Sequence, residues 1–401
     1  MTPVAVPEDV LVVGASAAGL STVEALRRKG YEGTVTVLGD EPHAPYDRPP
    51  LSKQVLSGAW EPERARLRRQ EGLAALDADF VLGDAAEALD IGTDPDAAIV
   101  RTASGRTWRA GAVVIATGAR PRQLPRTRGE PGLAGVHLLR TLGDAIALRA
   151  SLSSASRLVV IGDGVLGTEI AATATGMGLA VTLAGPQHSP MADQLGPLVA
   201  ARLAQLHTAR GVNLLLGDTV SGLTGEQGRV TGVRMSGGEV IPADVVVVAI
   251  GAVPNTSWLE GSGLRLDDGV VCDEYCRAAR RVYAAGDVAR WRHESLGSSR
   301  LENRTNATEQ ARTVAAGIMG EKVRYAPVPY FWTDQFDVKI QVHGRIPAGA
   351  EATIVDGELG AGRFVARYEL GGAVTGVLGW NMPKQARLRR REIVGSLAPA
   401  P

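Results

Sequence analysis

The chain has 401 residues, with 43 basic side chains against 43 acidic ones, 45% hydrophobic residues, 49 glycines and 4% aromatics. That length allows roughly two or three domains, and the balanced charge excludes a global field of the kind that gathers nucleic acid or an anionic membrane. Cys272 and Cys276 are too few for a disulfide scaffold, Met1 to Asp9 lacks the basic-then-apolar pattern of a secretory leader, and the apolar stretch Val245 to Ile250 is far below the roughly 20 residues of a membrane span, so a cytoplasmic protein is expected.

In chain order, Val10 to Val13 is a short β-branched run ending at Gly14. A continuous apolar run of this length predicts a strand buried on both faces, as in a parallel sheet. Ala18 to Lys29 has helical spacing and stops at Gly30, and Thr34 to Leu38 is a second strand. The turn between the first strand and the helix reads Gly14-Ala-Ser16-Ala-Ala18-Gly19. Gly14 allows the tight turn and Gly19 the close helix–strand packing, while Ser16 replaces the glycine over which a pyrophosphate normally passes. The helix N-terminus offers unpaired N–H groups to phosphate. Asp40, 26 positions after Gly14, stands where an acid takes ribose hydroxyls.

The pattern returns at Leu158 to Ile161, followed by Gly162-Asp-Gly164-Val165-Leu166-Gly167, a helix to about Met177 and a strand Ala180 to Leu183. All three glycines are present in this second turn, but the strand ends in Ala184, Gly185, Pro186 and Gln187, with neither acid nor arginine; the nearest candidate is His188. The second unit therefore predicts a dinucleotide site without choosing between NADH and NADPH.

Val113 to Ile115 leads into Ala116-Thr117-Gly118, and Val245 to Ile250 into Gly251. Both are buried strands running into small-residue turns where the chain is expected to change domain. Val282 to Ala285 ends in Gly286-Asp287, and Asp287 closes the half of the chain that the first turn opens, which favours a cofactor contact over a simple helix cap. From about Arg324, alternating segments such as Val338 to Val342 and Phe364 to Tyr368 predict an antiparallel sheet. The expected fold is α/β: two Rossmann-like dinucleotide domains of the glutathione reductase type and a C-terminal α+β domain. The borders expected are 1–112 with 242–322, then 113–241, then 323–401. Glu41 to Ser57 holds no cysteine for a thiol relay, and Cys272 and Cys276 have no further Cys or His nearby to complete a metal site, so both read as structural.

The stretch Gly39-Asp-Glu-Pro-His-Ala-Pro-Tyr-Asp-Arg-Pro-Pro-Leu-Ser-Lys53 resembles the flavin loop of FAD-dependent ferredoxin reductases of the putidaredoxin reductase type. That group lies in the pyridine nucleotide-disulfide oxidoreductase superfamily but lacks the redox cysteines. Ala116 to Arg122, Leu139 to Leu142, Tyr283 to Asp287, Thr305 to Gln310 and Tyr330-Phe-Trp-Thr-Asp-Gln335 match in order, over nearly the whole chain. The resemblance implies that the first turn holds FAD and the second NADH or NADPH, with NADH slightly ahead. Asp40 would bind the adenosine ribose, Arg48 and Lys53 would lie against the flavin and its phosphates, and Asp287 would bind the ribityl chain. Ala116, Thr117, Gly118, Arg120, Arg140, Gly251, Gly286 and Arg304 would line the cofactors. Lys53 and Glu169 would pair beside the reactive ring nitrogen, and Trp332 would sit where electrons leave. Without the resemblance, Lys53 reads as a surface lysine, Glu169 as an ordinary helix acid and Trp332 as a core aromatic. Two departures stand out: Gly185 replaces a frequent acid, and Asn303-Arg304 a frequent His-Trp, so that Arg304 becomes a candidate to stabilise reduced flavin or meet an acidic partner.

The function implied is transfer of hydride from NAD(P)H to FAD and of single electrons to an iron–sulfur ferredoxin. That ferredoxin would supply an oxygenase such as a haem-thiolate cytochrome monooxygenase. Rubredoxin or a small quinone as acceptor, or a redox-sensing FAD/NAD-binding protein, are the alternatives. An acidic ferredoxin would meet basic runs, either Arg64, Arg66, Arg68 and Arg69 or Arg387, Arg389, Arg390 and Arg391. Monomer and homodimer both remain open.

Overall fold

A computed structural model of the chain describes residues 6–92, 97–125, 132–293 and 297–397. None of the helices in these residues is long and apolar enough to cross a membrane. The chain forms two compact units, the first from residues 1–47, 66–120 and 253–327, the second from 48–65, 121–252 and 328–401.

In the first unit the strand Asp9–Val13 lies at the middle of a six-stranded sheet, in parallel between Thr34–Gly39 and Ala112–Ile115. Asp79–Leu82 closes one side, and Val282–Ala284 and Arg277–Ala279 the other, the last pair being antiparallel. The β-branched composition follows from burial on both faces: Val12, Val37 and Val114 are fully buried. Each such side chain contributes roughly 1.5–3 kcal/mol relative to exposure. Helix Ala17–Arg28 packs against helix Arg304–Ile318 and buries Leu20, Val23 and Leu26.

The second unit repeats the arrangement. Arg157–Ile161 lies in parallel between Ala180–Gly185 and Val245–Val248, within a five-stranded sheet completed by Asn213–Leu216 and Val136–His137. A separate five-stranded antiparallel sheet runs in the order Tyr330–Gln335, Val338–Gly344, Ala373–Trp380, Arg363–Leu370, Glu351–Glu358. Its period-two alternation serves two layers. Phe364, Ala366 and Tyr368 meet Leu195, Val199 and Leu203 of helix Ala192–Ala209, while Val365 and Val377 meet Ala386 and Ile393 of helix Pro383–Leu397.

The expected borders shift. Strand Ala112–Ile115 lies whole in the first sheet and Val245–Val248 in the second, so the chain changes unit at 120/121 and 252/253 rather than at 112/113 and 241/242. The C-terminal sheet, expected as a domain of its own from 323, shares a core with helix Ala192–Ala209 and groups with the second unit. Residues 48–65, expected in the first unit, also group with the second. Sequence spacing marks where a strand ends, but partners distant in sequence decide which sheet it joins.

His343 in the antiparallel sheet is buried, stacks on Tyr330 at 4.8 Å and has no hydrogen-bond partner for either ring nitrogen among the described residues. Burial, with the charge of Arg390, pushes its pKa down from 6.5 to about 4. The folded state holds this ring neutral while the unfolded chain takes up a proton, so its contribution is present above pH 6.5 and is lost as pH falls towards 4. The variant His343→Leu should therefore lose less melting temperature than the natural chain between pH 7 and pH 4.5. Equal losses in differential scanning calorimetry would place the acid sensitivity elsewhere.

Candidate active site

The first glycine turn is built on backbone contact. Gly14 has φ +122°, and a Cβ there would stand 2.2 Å from the Ala116 carbonyl oxygen; a Cβ on Gly19 would stand 1.9 Å from the Gly14 oxygen. Neither position admits a side chain. Ser16 is the N-cap of helix Ala17–Arg28 in extended backbone, and its side chain makes no capping bond. The first-turn N–H groups, which a helix cannot satisfy itself, are thus left for an external anion. Asp40 follows strand Thr34–Gly39 and is exposed, with no hydrogen bond or ion pair among the described residues. A pyrophosphate at the helix and a ribose at Asp40 fit this cradle.

The other predicted residues of the first unit divide by role. The Gly286 N–H donates to Gln310 Oε1 at 2.8 Å, Asn306 Nδ2 donates to the same oxygen at 3.2 Å, and Tyr325 donates to Asn306 Oδ1 at 2.8 Å. This buried trio holds the Gly286-Asp287 turn; the Thr305 to Gln310 string was legible, but the job of Asn306 and Gln310 was not. Thr117 Oγ1 donates to the Asn255 carbonyl at 2.9 Å, and Asn255 Nδ2 donates to the Thr117 carbonyl at 2.9 Å, which clamps the turn Ala116-Thr117-Gly118. Arg120 is exposed. Arg304 opens helix Arg304–Ile318, and its Nε donates to Asp47 Oδ1 at 2.7 Å. Its charge is therefore engaged by a carboxylate from the flavin-loop string. Cys272 and Cys276 are buried and form no disulfide with each other; burial pushes the Cys272 thiol up to about 12 and Cys276 well above the usual thiol range. Neither supplies a reactive thiolate.

The second turn, in the second unit, reproduces the first. Gly162 has φ +115°, with a would-be Cβ 2.2 Å from the Ala249 oxygen, and a Cβ on Gly167 would stand 1.8 Å from the Gly162 oxygen. Around Gly164, the N-cap of helix Val165–Gly176, nothing lies within 4 Å of a would-be Cβ. Gly164 has φ −79° and ψ −170°, extended like Ser16 at φ −116° and ψ −154°. The middle position thus needs space for a ligand, not a glycine backbone, which explains why serine is tolerated in the first turn. Val165 and Leu166 are half-buried at the head of the helix, and Gly251 (φ +95°) accepts from the Arg122 N–H at 2.9 Å. His188, the nearest candidate for the missing acid, is exposed.

Lys53 and Glu169 do meet. Lys53 Nζ lies 2.7 Å from Glu169 Oε2, with side chains 12% and 7% exposed, so this is a buried ion pair and neither residue is an ordinary surface charge. Ser52 Oγ donates to the same oxygen at 2.5 Å, and Thr333 Oγ1 donates to Oε1 at 2.8 Å. Gln335 Nε2 in turn donates to Thr333 Oγ1 at 3.1 Å and Thr168 Oγ1 at 2.9 Å, and Gln335 Oε1 lies 2.7 Å from His207 Nε2. A carboxylate out of water is costly unless its lone pairs are met, and three donors meet this one. Ser52, Thr333 and Gln335 had no predicted role. Strand alternation offered the signal, because Thr333 and Gln335 share the face opposite Trp332. Trp332 is only half-buried and stacks on Tyr330 at 5.9 Å, and it belongs to neither of the two cores that flank the antiparallel sheet. Arg48 Nη1 donates to the Arg140 carbonyl at 2.5 Å; Arg140 itself is pinned through its N–H to Asp144, half of the capping box that starts helix Leu142–Leu152.

The turn geometry separates two glycine substitutions. Gly164→Ser should change unfolding free energy by less than about 0.5 kcal/mol, and Gly167→Ala, which drives a methyl into backbone, should cost at least about 2 kcal/mol. Urea denaturation measures both; a Gly167→Ala protein as stable as Gly164→Ser would rule out the backbone contact.

Comparison with known proteins agrees with this geometry. Residues 8–311 match the family described as pyridine nucleotide-disulphide oxidoreductase, and residues 330–400 match the reductase C-terminal family. The chain is 38% identical over 387 residues to rhodocoxin reductase of Rhodococcus erythropolis, covering 96% of this chain and 88% of that one. It is 35% identical over 383 residues to the ferredoxin–NAD(+) reductase subunit of the benzene 1,2-dioxygenase system of Pseudomonas putida, covering 95% and 91%. Among solved structures, the covalent putidaredoxin reductase–putidaredoxin complex superposes with TM-score 0.90 at 33% identity, covering 97% of this chain and 93% of that one. The chain belongs to the pyridine nucleotide-disulphide oxidoreductase family, among the reductases of the putidaredoxin reductase type.

Proposed function

We propose that this protein is an NAD(P)H-dependent FAD flavoprotein that passes electrons to an iron–sulfur ferredoxin serving an oxygenase. The observation that carries the reading is the buried Lys53–Glu169 pair, held by Ser52 and Thr333 on the helix that the second glycine turn opens, in a chain whose two thiols are both locked in a core. A pair this costly to bury serves chemistry better than stability, and with no thiol available the electrons leave to another molecule. The relatives named above, reductases of redox proteins and of a dioxygenase system, support that acceptor.

FAD, when bound, takes up a hydride as two electrons and gives them out one at a time. The chain's own part is positioning and charge. The helix Ala17–Arg28 would hold the pyrophosphate, Asp40 the adenosine ribose and Asp287 the ribityl chain. Lys53, held in place by Glu169, would stabilise negative charge near the reactive ring nitrogen, and Glu169 would help seat the nicotinamide amide. Arg48, anchored on the Arg140 carbonyl, would meet the flavin phosphates, and half-exposed Trp332 would stand at the electron exit. NADH is placed ahead of NADPH because Gly185 to Met191 carries no arginine or lysine for a 2′-phosphate. A cytoplasmic setting suits the two free cysteines.

The docking surface is basic in this reading, and the structure narrows its membership. Arg68 pairs with Glu24 at 2.7 Å, Arg64 stacks over Trp60, and Arg389 is taken by Asp356 and Glu392. Arg66 and Arg69 in the first run, and Arg387, Arg390 and Arg391 in the second, are exposed and have no ion pair among the described residues. They are the charges that remain for an acidic partner.

Stopped-flow tests the reading. NADH or NADPH should bleach the flavin rapidly, and a ferredoxin should reoxidise it at a rate that falls steeply with salt. Rapid oxidation by a quinone with none by ferredoxins would move the acceptor to the small-molecule class. Slow bleaching with a long-lived charge-transfer band would make the protein a sensor. The variant Lys53→Met should slow flavin reduction by about a hundredfold, while nucleotide binding remains measurable; an unchanged rate would remove Lys53 from the chemistry.

A further inference from the structure

The second turn lacks, at Gly185, the acid that would grip an adenosine ribose, and the packing shows what stands there instead. Gly185 ends strand Ala180–Gly185, next to Arg157–Ile161 in the sheet, with Ile161 opposite Ala184. A Cβ on Gly185 would stand 2.3 Å from Asp163 Oδ2 and 2.4 Å from its Cγ. The root of the missing side chain is therefore filled by the carboxylate of Asp163, the residue between the first two glycines of the turn. Asp163 is 4% exposed and its position is fixed on several sides. The Gln187 N–H donates to Oδ2 at 2.8 Å, and Gln187 Nε2 donates to Oδ1 at 2.8 Å. Gln187 Oε1 accepts from the Asp193 N–H at 2.8 Å, and the Asp163 carbonyl accepts from the Met191 N–H at 2.8 Å. A carboxylate has about four acceptor sites, of which these donors use two.

We infer that Asp163 supplies from within the glycine turn the carboxylate that the strand end lacks, and so selects NADH over NADPH. The inference rests on the reading of the second turn as the nicotinamide dinucleotide site. Its physics is that of an acid at position 185. Spare lone pairs accept from ribose hydroxyls, and a fixed negative charge in a poorly solvated turn repels the dianion that NADPH carries on its 2′-oxygen. The acid at 163 and the absence of one at 185 belong together, because a side chain at 185 would occupy the volume that the Asp163 carboxylate takes. Asp163 has a second, mechanical task, since it ties down the segment Gln187 to Asp193. Loss of that task alone would weaken both coenzymes equally; loss of the charge changes their ratio.

The experiment measures Kd for NAD+ and NADP+ by calorimetry on the FAD-loaded protein, with kcat/KM for NADH and NADPH in parallel. The natural chain should favour NAD+, and Asp163→Asn, which keeps the shape and the Gln187 N–H acceptor, should lower the NAD+/NADP+ preference about tenfold, by removing one charge near the phosphate. The double variant Asp163→Gly with Gly185→Glu, which returns the acid to the strand end, should recover the preference. An unchanged ratio in Asp163→Asn, a double variant that stays at the Asp163→Asn ratio, or a natural chain that favours NADP+ would each overturn the role of Asp163. A natural chain that binds neither nucleotide would instead overturn the nicotinamide site itself.

Discussion

The whole arrangement depends on two places where backbone touches backbone with no room for a β-carbon. At Gly14 and Gly162 the strand ends against the carbonyl of a neighbouring strand, 2.2 Å from where a Cβ would sit. At Gly19 and Gly167 the helix returns onto the turn it has just left, at 1.9 and 1.8 Å. These contacts set the height and direction of both helices, so that their unpaired N–H groups face outward over the strand ends. The middle residue of each turn is under no such constraint, and its variation between Gly164 and Ser16 leaves the turn intact. The glycine pattern is thus two strict positions around a permissive one, with the permissive one left open to a ligand.

Once the helix Val165–Gly176 is seated, Glu169 is carried into a dry position where its charge must be answered. Lys53, Ser52 and Thr333 answer it, and Gln335 and His207 extend the answer through the antiparallel sheet into helix Ala192–Ala209. His207 is buried, and its pKa is lowered mainly by that burial, so the chain ends on a ring held neutral. His207 Nδ1, at the far end, is buried with no hydrogen-bond partner among the described residues, which leaves the network short of full satisfaction there. The network ties the C-terminal sheet to the nucleotide fold within one unit. The same network orients the ammonium on which the proposed chemistry rests.

Charges elsewhere are settled by local competition for space. Asp163 and position 185 compete for one volume, and the structure resolves this with a carboxylate from the turn and a glycine on the strand. Arg304, which stands where the family often has an aromatic, turns to Asp47 rather than remaining a free cation. The thiols of Cys272 and Cys276 are pushed towards the protonated form chiefly by burial, with the charge of Asp273 adding to it.

By itself, the sequence determined both nucleotide units, the antiparallel character of the C-terminal sheet and Asp40 at its strand end, while the Lys53–Glu169 pair was legible only through the family resemblance. These rest on short-range signals, namely β-branched runs, glycines at fixed offsets and a family-specific string, and such signals survive in one dimension. Tertiary structure alone decided which sheet Ala112–Ile115 and Val245–Val248 join, and that Val338, Phe364, Tyr368 and Trp380 of the C-terminal sheet share a core with helix Ala192–Ala209. It also decided that Asn306 and Gln310 hold the Asp287 turn, that Ser52, Thr333 and Gln335 support Glu169, and that Asp163 fills the place of the absent acid. The reason is common to all of these. Each depends on a distance between atoms far apart in the chain, and a hydrogen bond or a steric exclusion acts on that distance, not on sequence separation.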